Sequence, residues 1–151
     1  MKRFKFSLQP LAVLRAHREL RAKEDFAAAI HAQARTEAQR DGVRTRVAQL
    51  ETTLAQGRQG RFNAAAEMQS LTAYRAECAV ETQAEQAVLT AVTQTQKSRD
   101  GYIEAHRQLE AVKRLEAKAR VLHRHAMNLH EQAEFDDFSS RRATRPNSFG
   151  V

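Results

Sequence analysis

The amino-acid sequence predicts an all-α protein: a long antiparallel two-helix coiled-coil hairpin with a disordered C-terminal tail. Three observations carry that reading. Ala, Glu, Lys, Leu and Arg supply 77 of the 151 residues, a composition typical of coiled coils and long helices. The only prolines are Pro10 and Pro146, so residues 11–145 lack the strongest helix breaker. Apolar residues then recur in alternating steps of four and three, the spacing of a coiled-coil seam. Leu, Ile, Val and Phe together number only 30, against 27 alanines, which excludes a thick globular core and with it a compact pocketed enzyme.

Residues 1–9 form an extended N-terminal arm. Phe4, Phe6 and Leu8 alternate there with Lys5 and Ser7, a period of two that leaves one apolar side. Pro10 suits a first helical turn and Gln9 before it is steered away from helical dihedrals, so the first helix is placed at about 10–56. Its expected seam is Val13, Leu20, Ala27 and Ala34 with Ile30, followed after a slip in register by Val43, Val47, Leu50 and Leu54. Gly57-Arg58-Gln59-Gly60-Arg61 lowers helix propensity most sharply and reads as the turn, 57–61. Gly42 and Gly101 are isolated among helix formers and read as local irregularities only.

The second helix is expected at about 62–138. Tyr102, Ala105, Leu109 and Val112 make one block, and Leu115, Ala119, Leu122, Ala126, Leu129 and Ala133 make an unbroken second one, while the stretch from Thr72 to Ser98 is weakly patterned. Beyond Phe138 the periodicity is lost, and 139–151 reads as a disordered tail. A reversal near residue 59 sets Leu11 opposite about residue 107 and Leu14 opposite about residue 104. The second helix then overhangs by about 40 Å, leaving the Leu115–Ala133 stripe to be covered by a partner protein.

Charge follows the same geometry. Residues 1–23 carry seven basic side chains against Glu19, and residues 107–124 carry six against Glu110 and Glu116, so the open end is expected to be strongly positive. Near the turn, Glu67, Glu77, Glu81 and Glu85 face Arg75 alone. The net +7 favours acidic partners. Nucleic acid is not expected among them: acidic residues interleave through most of the chain, and aromatic stacking platforms are missing.

Catalysis finds no phosphate loop, glycine fingerprint or nucleophile elbow. His123 and His125 point apart on a helix, and His123 and His130 lie too far apart for one ion, so neither metal nor cofactor is expected. Cys78 lies at helical spacing from Leu71 and Tyr74 and reads as a seam residue. The short apolar run Leu11-Ala12-Val13-Leu14 stops at Arg15, too short for a secretory or membrane segment, so the expectation is a cytosolic protein.

The opening Phe4-Lys5-Phe6-Ser7-Leu8-Gln9-Pro10-Leu11-Ala12-Val13-Leu14-Arg15, the helical body with one glycine-marked turn, and the close Glu134-Phe135-Asp136-Asp137-Phe138-Ser139-Ser140-Arg141-Arg142 together resemble the FliJ family of bacterial flagellar export proteins. The resemblance covers most of residues 1–142. It implies an antiparallel coiled coil that hydrolyses nothing itself. Such a protein acts as the central stalk of an export ATPase ring, as the gamma subunit does in rotary ATPases. It also links that ring to the membrane export-gate protein, helps to cycle export chaperones, and meets the inner face of the cell membrane at the flagellar base only through protein partners.

On that resemblance the open end enters the ring, with Leu115, Leu122, Leu129, Arg18, Arg120 and Arg124 as the candidate contacts. The body toward the turn meets the gate, with Phe62, Met68, Leu71 and Tyr74 as surface candidates. Two alternatives share the architecture: the equivalent stalk of a virulence type III secretion system, and a self-assembling coiled-coil scaffold.

Overall fold

The computed structural model describes residues 3–61 and 63–143. Among these the chain forms two helices and no strand: α1, Gln9–Gly57, and α2, Ala64–Ala143. Two compact units can be told apart, Arg18–His106 and Met1–His17 with Arg107–Val151.

Within the Arg18–His106 unit the helices are antiparallel, and a ladder of side chains gives their register. Glu19 meets His106 at 3.3 Å, the Thr95 hydroxyl donates to the Ala29 carbonyl at 3.3 Å, Arg46 meets Glu77 at 3.3 Å, Tyr74 donates to Glu51 at 3.0 Å and Arg58 meets Glu67 at 2.8 Å. These pairs centre on residue 62, so the expected reversal at 59 is corrected by about three residues. The cause is local. Gly57 stays helical, with the Arg58 amide still donating to the Leu54 carbonyl at 3.3 Å. The second helix waits for Asn63, whose side-chain oxygen accepts from the amides of Ala65 at 3.1 Å and Ala66 at 3.4 Å. Asn63 is thus the N-cap. Asn63→Ala should lower stability by about 1 kcal/mol in a denaturant titration without changing helix content.

The seam also differs from the expected one. In α1 the inward residues are Ala22, Phe26, Ala29, Gln33, Thr36, Arg40, Val43, Val47, Leu50 and Leu54, an unbroken four-three run; Leu20, Ala27, Ile30 and Ala34 face solvent. In α2 the inward run is equally regular, from Glu67 and Ser70 through Tyr74, Glu77, Glu81, Ala84, Val88, Ala91, Thr95, Ser98 and Tyr102 to Ala105. The expected slip in register is absent because the seam passes through polar residues that find partners elsewhere: Gln33, Thr36 and Arg40 bond within α1, to Glu37, the Gln33 carbonyl and Asp41, while Glu67, Tyr74, Glu77 and Glu81 of α2 pair with Arg58, Glu51, Arg46 and Arg44 at the seam's edge. Arg44, beside it, bridges Glu81 at 3.3 Å and Glu85 at 2.8 Å, and the Glu85 hydrogen bond holds its pKa above the ordinary value. The Phe26 and Tyr102 rings stack with centroids 6.3 Å apart.

Among the described residues of this unit only Val43, Val47, Leu54 and Val88 are buried, and no side chain among the described residues is fully enclosed. Both helices run unbroken through Gly42 and Gly101, where an added Cβ meets nothing within 4 Å. Alanine there removes the helical cost of glycine, so Gly42→Ala and Gly101→Ala should each raise stability by roughly 0.5–1 kcal/mol, read as a higher denaturation midpoint.

In the other unit, Arg15 donates to Gln108, which replaces the expected pairing of Leu11 with 107 and Leu14 with 104. Leu11, Ala12 and Arg15 face inward, as do Leu109, Val112, Glu116, Ala119 and His123, with Leu109 and Val112 buried. α2 continues to Ala143, past the expected end at Phe138. Ser139 and Ser140 break no helix, and Arg141 and Arg142 in the last turn complement its dipole. Residues 144–151, the rest of the expected tail, lie outside the described residues.

Candidate partner-binding surface

The N-terminal arm packs on α2 within its own unit. Phe4 and Phe6 are half-buried while Arg3, Lys5 and Ser7 are exposed, the period-two pattern of an extended segment. The Phe4 ring meets His123 edge-on at 5.4 Å, and the Arg120 guanidinium lies 5.5 Å from the same ring. Gln9 and Glu116 complete the wall of a shallow cleft with Phe4, Lys5, Phe6 and Arg120. The turn into α1 is closed by the Gln9 amide donating to the Phe6 carbonyl at 3.1 Å.

The arm covers one flank of α2 and leaves the next face open. Leu115, Leu122 and Leu129, spaced by seven, are 49%, 71% and 53% exposed. The inward residues Val112, Glu116, Ala119 and His123 run beside them, so the apolar stripe is a second seam, separate from the occupied one. Ala126 and Ala133 continue the open stripe and are exposed as well.

The cations proposed from sequence divide. Arg120 is engaged twice over, with Glu116 at 2.7 Å and with Phe4, and so is a structural residue of the arm's seat. Arg124 is exposed and makes no ion pair among the described residues. Arg18 belongs to the Arg18–His106 unit. What spacing alone does not single out is a row of exposed basic residues alongside the leucines: the cations Arg107, Arg114 and Lys118, and with them His125. A helical wheel drawn on the leucine stripe, with 100° per residue, would have placed them there.

Charge is partitioned between the units. On the sequence, the arm-containing unit holds thirteen basic and six acidic residues, and the Arg18–His106 unit holds twelve of each. The whole net +7 therefore belongs to the unit with the open stripe. The turn side is not acidic as its α2 residues alone suggest, because Glu67, Glu77, Glu81 and Glu85 are matched by Arg58, Arg46 and Arg44 of α1.

Of the residues expected near the turn, Met68 is exposed, Leu71 and Tyr74 are half-buried, and Phe62 lies outside the described residues. The Tyr74 hydroxyl is committed: contacts with Cys78 and Glu51 push its pKa up to about 12. His130 faces Glu134 at 3.3 Å on the exposed end of α2.

A family model described as the flagellar FliJ protein matches residues 4–148. Neither a curated protein nor a solved structure matches the chain.

Proposed function

The chain belongs to the FliJ family, whose members serve the flagellar protein export apparatus, and from that premise we propose that it is the non-enzymatic stalk of the export ATPase ring. The observation that carries the reading is the leucine stripe Leu115, Leu122 and Leu129. A stripe of that spacing left open on a folded helix is a docking surface. It lies in the unit that holds all the net positive charge, which speeds encounter with an acidic partner.

In this role the arm-containing unit engages the ring through those leucines, while Arg124, on the opposite side of α2 from them, adds only to the unit's general positive field. Arg120 acts indirectly by seating Phe4. The other unit reaches the membrane export-gate protein near its turn, where Met68 offers an apolar side chain to solvent. Export chaperones are the third class of partner. No helix among the described residues is long and apolar enough to cross a membrane, so membrane association runs through the gate.

The test is an ATPase assay with the cognate export ATPase. The full chain should raise its turnover while hydrolysing no ATP alone. Unchanged turnover, with the two proteins failing to co-purify, would remove the stalk reading.

A further inference from the structure

Resting on the stalk reading, we infer the chemistry of what the leucine stripe grips: an amphipathic helix of another protein, with apolar residues at coiled-coil spacing and carboxylates along one flank. The width of the stripe points to this. Leu115, Leu122 and Leu129 repeat at sevens, with Ala126 and Ala133 on the same line and exposed with them, the narrow seam of a coiled coil. A helix that lies in a lipid interface needs a much broader apolar face. Here the neighbouring face is already spent, because His123 and Arg120 carry Phe4 and Val112 is buried. One row remains, wide enough for the knobs of a single helix.

Basic residues border that row. On its open side stand Arg107, Arg114, Lys118 and His125, all exposed and making no ion pair among the described residues. A second copy of the chain is a poor occupant for that reason. Side by side in parallel, Lys118 would flank the other copy's His123, and His125 its His130. Turned antiparallel, His125 and His123 would each meet their own counterpart. Both arrangements put cationic or protonatable groups together, whereas a partner helix carrying Glu or Asp beside its apolar residues would pair with the whole row.

The test uses the full chain and two synthetic helical peptides of identical leucine spacing, one flanked by glutamates and one by lysines, with binding followed by calorimetry at low and high salt. The glutamate peptide should bind at least about tenfold more tightly, with the advantage shrinking in salt. The double variant Arg114→Glu, Lys118→Glu should reverse the preference, which simple misfolding cannot do. Equal binding of the two peptides, tight binding to anionic phospholipid vesicles in their place, or self-association that the same double variant strengthens would overturn the inference. Stimulation of the ATPase is scored separately. If Leu122→Asp abolishes stimulation but neither peptide binds, the stalk reading stands and the acidic-helix inference falls. If the peptide preference and its reversal hold while stimulation is absent, the reverse is true.

Discussion

Replacing Leu122 and Leu129 together with Asp should abolish stimulation of the export ATPase while the chain stays folded. At 71% and 53% exposure, neither leucine contributes much to the protein's own stability, and an exposed aspartate costs a helix only a few tenths of a kcal/mol. Within a docked coiled-coil seam the same change would bury two carboxylates without partners, a penalty of several kcal/mol. The stimulated fraction of turnover is therefore expected to fall by at least about a hundredfold, with the helical circular dichroism signal and the denaturation midpoint close to those of the parent. A variant that unfolds would assign the stripe to the internal core instead.

Val47→Asp should have the opposite profile. Val47 is buried, in line with Val43 and Leu54, and these three with Val88 are the buried residues among those described in the Arg18–His106 unit. A seam with so few buried side chains has little reserve. An aspartate there loses the valine's transfer energy and leaves a charge facing apolar neighbours, a change of about 4 kcal/mol or more. The expected result is loss of most helical signal at ambient temperature, with export-dependent function lost as a consequence. A thermal midpoint within a few degrees of the parent would show that the two helices can re-register around the charge.

The contrast between these two variants reflects what the sequence could and could not disclose. Helical class, one turn and the open leucine stripe are legible because each rests on a strong local signal: proline placement, paired glycines and an unrivalled leucine spacing. The inward face of α1 is not. Its first half runs through Ala22, Ala29, Gln33, Thr36 and Arg40, residues that hydropathy ranks below the exposed Leu20 and Ile30. A pattern search follows the greasier row and must invent a slip in register to reach Val43. In the observed register Arg44, Arg46 and Arg58 of α1 pair with glutamates of α2, and the line that this register continues toward the start of α1 passes through Arg40, Thr36 and Gln33 and leaves Ile30 and Leu20 outside. The turn moved for a similar reason. Glycine permits a helix to stop, but Asn63 decides where the next one starts.

The ladder of the Arg18–His106 unit also orders how it is made. Its first rung, Arg58 with Glu67, closes a separation of nine residues, and its last, Glu19 with His106, closes 87. Closure entropy rises with each rung, and the enclosed valines sit toward the short end. The two helices of this unit should therefore pair from the bend outward, and unfolding should peel from the far end, opening the long rungs before the valine-lined part.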